Sequence, residues 1–314
     1  MNVAAYAFAL AASAAVATSP TTTLQAPPKA APPPLHIVLK PLPAPIAEQP
    51  PASMQWLYGS GEAAALSRAS YRAFQNYAVA AARHRPRDSV VVAEGSTFPH
   101  PAFVTCGRKP LAVVLDVDET ALLNLGYEYD QAAQNRAYDP KRWSDWERTG
   151  LGAIQPVPGV FLALKAIRAA GIKVIFISNR SLENVGYTEL ALNKAGLGPA
   201  RHLKELFVEG DASGGSAKDP RRAAVASRYC VVAMAGDQLG DFSDLFNSQV
   251  LSPLFQAKDL GVFGRRDMTG SGKIAQMWGN GWFVLPNPVY GTGVKGNFNE
   301  VFPFGRWSDP VGGQ

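Results

Sequence analysis

Leu111-Ala112-Val113-Val114-Leu115-Asp116-Val117-Asp118-Glu119-Thr120 is an apolar run, long enough for one strand, that ends abruptly in acid. It is apolar at every position rather than at alternate ones, which fits the central strand of a parallel sheet covered on both faces. Ligands of such sheets gather outside the carboxyl ends of the strands, so Asp116 and Asp118 stand where chemistry is expected. Their spacing of two lets both carboxyls approach one site. Taken alone, the step from Asp116 to Asp118 fits a solvated turn equally well, since Asp is common in turns.

Downstream the chain alternates strands with helices. Pro158-Gly159 opens a helix whose Val160, Phe161, Leu164 and Ile167 share a face, and Gly171 ends it as a left-handed cap. Lys173 to Ile177 is a second buried strand, stopping at Ser178-Asn179-Arg180. A helix from about Leu182 to Lys194 ends at Gly196, and Glu205 to Val208 is a short third strand. Asp219-Pro220 supplies an N-cap and first-turn proline for a helix through Ser227. Cys230 to Ala235 is a fourth strand ending in Gly236-Asp237, and Trp282 to Leu285 a fifth. This rhythm predicts an α/β fold built on a Rossmann-like parallel sheet with right-handed crossovers.

The polar residues that end these strands carry the chemistry. Asp116 and Asp118 end the first strand, Ser178 and Asn179 the second, and Asp237, followed by Asp241, the fourth; Lys218 precedes the helix leading into the fourth. Carboxylates crowded in this way repel unless a hard cation sits among them, and an all-oxygen donor set suits Mg²⁺. A lysine and a hydroxyl beside such a cation are what a phosphate dianion needs.

The 314 residues are 47% hydrophobic and 18% charged, a composition with room for a sizeable core in one or two domains. A net charge of +5, spread along the chain, suits anionic substrates better than nucleic acid. Two cysteines, Cys106 and Cys230, exclude a disulfide framework and a Cys-based zinc site. His36, His84, His100 and His202 show no ligand spacing and are expected at the surface.

Val3 to Ala17 is an Ala-rich apolar run too short to span a bilayer, and it ends in the small-x-small pattern Ala15-Val16-Ala17. It reads as a secretory signal peptide over 1–17, although no Lys or Arg precedes the run. Residues 18–52 are Pro/Ala/Thr-rich and are expected to form a disordered linker, because proline at this density forbids helices and sheet ladders. From Gly61 to Arg83, Tyr71, Phe74, Ala78 and Ala81 recur at helical spacing and predict a packing helix. Residues 86 to 110, with Pro99 and Pro101, are expected to be irregular connection. Over 121–157, Tyr127, Tyr129, Tyr138, Trp143 and Trp146 suggest an insertion over the acidic loop that offers aromatic faces to a substrate; ordinary aromatic packing is the competing reading.

The order of these motifs resembles the haloacid-dehalogenase superfamily and, more narrowly, the class C non-specific acid phosphatases with their four signature aspartates. The stretches that carry the resemblance are Val114 to Thr120, Ile177-Ser178-Asn179-Arg180, Lys218 with Arg221, and Gly236-Asp237-Gln238-Leu239-Gly240-Asp241-Phe242. Gln55 to Glu62 resembles the family's leading helix and Phe283 to Gly291 its closing strand and loop. Gln238 stands where relatives often have Asn.

The resemblance implies a phosphatase domain over 53–300 with a small, partly helical cap formed by the N-terminal segment and an insertion at about 121–157, and a C-terminal tail over 301–314. It implies Asp116 as nucleophile and metal ligand. Asp118 would be the general acid/base, lending its backbone carbonyl to the metal. Asp237 and Asp241 would complete a Mg²⁺ site, and Ser178, Asn179 and Lys218 would hold phosphoryl oxygens. The implied activity is Mg-dependent hydrolysis of small phosphomonoesters, nucleoside monophosphates included, through an aspartyl phosphate. A periplasmic or secreted protein follows, without nucleic-acid partner or stable membrane anchor, since no cysteine follows the apolar run; a homodimer is compatible. Cys106 precedes, and Cys230 opens, strands that are neighbours in this fold, so in an oxidising compartment they are placed to pair.

Other functions fit less well. A phosphotransferase would use the same residues and remains the competing activity. A catalytically inactive storage or binding relative would have lost the nucleophile, and Asp116 is present. A dehalogenase has no need of Asp118, and no histidine stands in a nucleophile motif. Gly270-Ser271-Gly272-Lys273 mimics a P-loop but has Asp267 and Ile274 where a glycine and a Ser or Thr are required.

Overall fold

The computed structural model describes residues 45–247, 261–304 and 307. The signal segment, most of the linker, His36 and most of the tail lie outside the described residues.

Five parallel strands form the centre: β3 (Leu111–Leu115), β6 (Lys173–Ser181), β7 (Leu206–Glu209), β8 (Cys230–Gly236) and β9 (Trp282–Val284), in the order β7-β6-β3-β8-β9. The strand that opens with Leu111 is the middle one, as its unbroken apolar character requires. Its side chains alternate between two cores. Val113 and Leu115 join Tyr71, Phe74, Leu164 and Leu192 on one face; Ala112 and Val114 join Val90, Phe207, Val225 and Trp282 on the other. The first face is covered by the helices Gly61–Arg83, Val160–Ala169 and Val185–Lys194, the second by the helix Asp219–Arg228.

Residues 86 to 110 depart from the sequence reading. Two short antiparallel strands, β1 (Asp88–Val92) and β2 (Phe103–Thr105), occupy this segment, and β1 packs against β8. The run Val90-Val91-Val92 is β-branched and buried, and its burial under the sheet makes it a strand despite the prolines that follow. Ser89 Oγ donates to the Val231 carbonyl at 3.0 Å and Trp282 Nε1 to the Val90 carbonyl at 2.8 Å, tying this layer to the sheet. Two smaller departures concern helix starts. Lys218, not Asp219, is the N-cap of the helix Asp219–Arg228, and a 3-10 turn at Leu182–Asn184 precedes the helix Val185–Lys194.

The insertion leaves and re-enters the sheet through a two-residue antiparallel pair, β4 (Leu122–Leu123) with β5 (Gln155–Pro156), and carries the helices Leu125–Ala133 and Pro140–Thr149. The N-terminal segment lies against it, with Ile46 N donating to the Ala133 carbonyl at 2.8 Å. The cap is therefore built from both segments. Cys106 and Cys230 form a buried disulfide with Cα atoms 4.6 Å apart. Among the described residues no helix is long and apolar enough to cross a membrane.

Candidate active site

The carboxyl ends of β3, β6 and β8 bring the acidic residues together. Asp116 follows the last residue of β3, its N–H donating to the Ala235 carbonyl at 3.0 Å. Asp237 follows β8, and the chain turns so tightly there that Asp241 folds back over Gly236, where any Cβ would collide with the Asp241 side chain. One oxygen from each of Asp116, Asp237 and Asp241 lies within 4.8 Å of the others. Asp116, Asp237, Asp241 and Lys218 are each under a tenth exposed.

Five of the six carboxylate oxygens of this cluster are engaged by hydrogen bonds or by the Lys218 ammonium. Asp237 Oδ1 accepts from Thr120 Oγ1 at 2.7 Å, and its Oδ2 from Gln238 Nε2 and Asn287 Nδ2 at 2.9 and 2.8 Å. Asp241 Oδ2 accepts from Gln238 N at 2.8 Å. Lys218 Nζ donates to Asp116 Oδ1 and, at 2.6 Å, to Asp241 Oδ1. Three carboxylates against one ammonium leave a formal excess of two negative charges, in a donor set made wholly of oxygen. A hard divalent cation fits that set.

Electrostatics agree. Burial pushes the Asp116 carboxyl well above the carboxylate range; Asp241, Asp237 and Asp118 push the same way, against Lys218. Burial and the Asp241 charge push Asp237 up to about 6, against three hydrogen bonds that favour its ionised form. Lys218 is held above its ordinary value by Asp116 and Asp241, which outweigh its burial. Raised in this way, Asp116 and Asp237 hold a proton more readily than free carboxylates, and a bound cation would compete with that proton.

Asp118 lies apart from the three. It is salt-bridged to the buried Arg180, whose Nη2 and Nε lie 2.8 and 3.0 Å from Oδ1, and Asn124 Nδ2 donates to the same oxygen at 2.9 Å. Ser178 is fully buried; its Oγ accepts from Arg180 N at 3.1 Å and lies 3.4 Å from Asp118 Oδ2. Asn179 is exposed and, with Lys218, Asp116, Asp118, Asp237 and Asp241, lines a cavity of about 670 Å³, a volume suited to a small organic ligand. Tyr127, Tyr138 and Trp143 of the cap line the same cavity. Tyr129 lines a separate one, and Trp146 is turned inward, its Nε1 donating to Asn124 Oδ1 at 3.0 Å.

Several residues that support the site have no role assigned from the sequence. Arg221, buried inside the quoted motif, reaches the Ser178 carbonyl and, at 2.6 Å, Asn179 Oδ1, and also the carbonyls of Ser216 and Ala217 on the Lys218 loop. Burial holds it below the usual guanidinium range. Glu119 sits in the left-handed region at φ 53°. Its carboxylate accepts from Asn124 N at 2.9 Å, Tyr58 Oη at 3.3 Å and Tyr290 Oη at 2.5 Å, joining the N-terminal segment, the acidic loop and the closing loop. Burial pushes Glu119 up to about 8.

The three described histidines, His84, His100 and His202, do not line the cavity. His84 and His100 are exposed as expected, but His202 is not: its Nε2 lies 2.6 Å from Asp211 Oδ1 in a nearly buried pair. Asp211 also accepts from Val208 N at 2.7 Å, so the imidazole is recruited to satisfy a wholly buried carboxylate.

The family described as HAD superfamily, subfamily IIIB (acid phosphatase) matches residues 62–293. Among solved structures, the class C acid phosphatase from Bacillus anthracis superposes with a TM-score of 0.58 at 24% identity, over 77% of this chain and 84% of that one. A crystal structure of the class C acid phosphatase from Bacillus anthracis with tungstate bound gives 0.58 at 21% identity, over 82% and 90%. At these identities the structural similarity is one of fold.

Proposed function

The chain belongs to the acid phosphatases of HAD superfamily subfamily IIIB, and we propose that it is a Mg²⁺-dependent hydrolase of small phosphomonoesters, nucleoside monophosphates included, acting through an aspartyl phosphate on Asp116. The observation that carries this reading is the meeting of Asp116, Asp237 and Asp241 around Lys218 at the carboxyl ends of parallel strands. Asp116, Asp237 and Asp241 would hold the cation, with the backbone carbonyl of Asp118. When bound, it would offset the charge of the phosphoryl oxygens and orient them in line with the nucleophile.

The chain's own residues account for the rest. The Asp116 carboxylate forms a bond to phosphorus as the bond from phosphorus to the leaving oxygen breaks, and Asp118 gives that oxygen a proton. Asp118 then takes a proton from water as the water oxygen attacks the aspartyl phosphate, which releases phosphate and restores the Asp116 carboxylate. Lys218 and Asn179 donate to phosphoryl oxygens. Ser178, to which the sequence also assigns a phosphoryl oxygen, is fully buried, and its Oγ accepts from Arg180 N and approaches Asp118 Oδ2. The aromatic faces of Tyr127, Tyr138 and Trp143 offer apolar surface to the leaving group.

The apolar run Val3 to Ala17 and the buried disulfide support export to an oxidising compartment, periplasmic or extracellular. The proposed organisation keeps the signal over 1–17, the linker over 18–52, the phosphatase domain over 53–300 and the tail over 301–314. Phosphate release from a panel of nucleoside monophosphates, sugar phosphates and aryl phosphates tests the reading. Activity should vanish on exhaustive chelation and return with Mg²⁺; undiminished activity in the chelated enzyme would overturn the metal assignment.

A further inference from the structure

Asn124 stands at the N-cap of the helix Leu125–Ala133, where an Asn side chain ordinarily accepts from the first amides of its helix. Here it makes no such bond. Its carboxamide is fully buried and turned toward the acid/base residue instead. Oδ1 accepts from Trp146 Nε1 at 3.0 Å and Arg180 Nη2 at 2.9 Å. Nδ2 donates to Asp118 Oδ1 at 2.9 Å and lies 3.2 and 3.3 Å from the two oxygens of Glu119. A flipped amide would face an indole N–H and a guanidinium with its NH₂, and two carboxylates with its oxygen. Its orientation is therefore fixed by what surrounds it.

The consequence for Asp118 is an asymmetry between its two oxygens. Oδ1 receives Asn124 Nδ2 and both Nη2 and Nε of Arg180, all within 3.0 Å. Oδ2 has only the longer approaches of Arg180 Nε at 3.3 Å and Ser178 Oγ at 3.4 Å. An oxygen with its lone pairs engaged by three donors is a poor site for a proton; the other is available.

We infer that Asn124 is a positioning residue which, with Arg180, pins Oδ1 of Asp118 and reserves Oδ2 for proton transfer, and that Trp146 of the cap sets its orientation. This rests on the reading of Asp118 as general acid/base. In the first step the bond from phosphorus to the leaving oxygen breaks with its electron pair remaining on that oxygen. The oxygen takes the proton from Oδ2, and Asp118 becomes the carboxylate that Asn124 and Arg180 hold in place. The inserted segment thus acts on the chemistry through Asn124 and the hydrogen bond it accepts from the segment's second helix, besides lining the cavity.

The test is kcat/KM of the Mg²⁺-loaded enzyme for glycerol phosphate, whose alkoxide needs the proton, and for 4-nitrophenyl phosphate, whose phenolate does not. This constant reports the steps through the first phosphoryl transfer. Asn124→Asp keeps the shape and both acceptor contacts but sets a carboxylate against Asp118 and Glu119. It should lower the glycerol phosphate constant about 10- to 100-fold and the aryl constant less than about three-fold, a share of the effect expected of a general acid. Trp146→Phe, which removes the indole N–H and keeps an aromatic ring, should show the same pattern more weakly, and it carries the test if Asn124→Asp does not fold. Equal losses for both substrates, or none, would overturn the inference. Asp118→Asn separates the two layers: a loss equal for both substrates there would refute the acid/base reading itself. A selective loss there, without one in Asn124→Asp, would refute only the positioning role.

Discussion

Replacing Lys218 by Met should have opposite consequences with and without metal. The ammonium is nearly buried and bonded to both Asp116 and Asp241. Removing one partner of a buried ion pair leaves uncompensated charge and costs about 3–5 kcal/mol. At neutral pH and in chelator the variant should therefore melt roughly 6–20 °C below the native protein, at about 2–4 °C per kcal/mol for a chain of this size. A divalent cation supplies the missing positive charge, so saturating Mg²⁺ should recover most of that deficit and raise the variant's melting temperature more than the native protein's. Activity should not recover in parallel, because the donor to the phosphoryl oxygens is gone; a loss of about 10²–10³ in kcat/KM matches removal of one such donor. Thermal melts in chelator and in Mg²⁺, paired with phosphate release, read both effects. Equal stability of variant and native protein in chelator, or equal increments from Mg²⁺, would refute the role of Lys218 as counter-charge.

The disulfide closes a loop of 124 residues, and chain entropy puts its contribution at about 5 kcal/mol at most, with 2–4 typical. Replacing both Cys106 and Cys230 by Ala should thus lower the melting temperature by roughly 5–15 °C, while two free thiols in the unreduced, denatured protein would contradict the pairing. Asp237 is pushed up to about 6 and Asp116 well above its usual range, so the folded, metal-free protein holds protons that the unfolded chain has lost. Its stability should fall as pH rises from the ordinary carboxylate range through about 6, and metal binding should tighten over the same interval with proton release. Calorimetry at about pH 5 and about pH 7.5, in buffers of different ionisation enthalpy, checks both; an affinity independent of pH would contradict them. Gly236→Ala should displace Asp241 and weaken Mg²⁺ binding, and unchanged affinity by titration would show that the close approach is not needed.

The parallel sheet was legible because β3, β8 and the stretch Val174 to Ile177 of β6 are apolar throughout and each runs into polar residues assigned to the site. β1 was not, because three valines set between charged residues and prolines resemble a connection until burial beneath β8 makes them a strand. Asp116, Asp237, Asp241 and Lys218 could be grouped from their order alone, since the crossover rule brings strand ends to one edge. The residues that hold them could not. Tyr58 and Tyr290 meet at Glu119 from 61 and 171 positions away, and nothing local in the sequence marks such a meeting. Arg180 and Arg221 lay inside recognised motifs, but which oxygens they serve depends on how the end of β6 packs against Asp118 and the Lys218 loop. Asn124, six residues after Asp118, was within reach: an Asn that precedes a helix reads as a cap, and only the structure shows that it declines that role.

The central claim, that Asp116 carries the phosphoryl group, is tested most directly by trapping it. The enzyme is mixed with 4-nitrophenyl phosphate and Mg²⁺, quenched in acid within the first turnover, digested and analysed by mass spectrometry. The phosphoryl group should appear on Asp116 and accumulate in Asp118→Asn, where its hydrolysis is slowed. In Asp116→Asn it should be absent and turnover should fall below about a thousandth, within or beyond the upper half of the range of a general-acid loss. A phosphoryl group on any other residue, or substantial turnover by Asp116→Asn, would contradict the account.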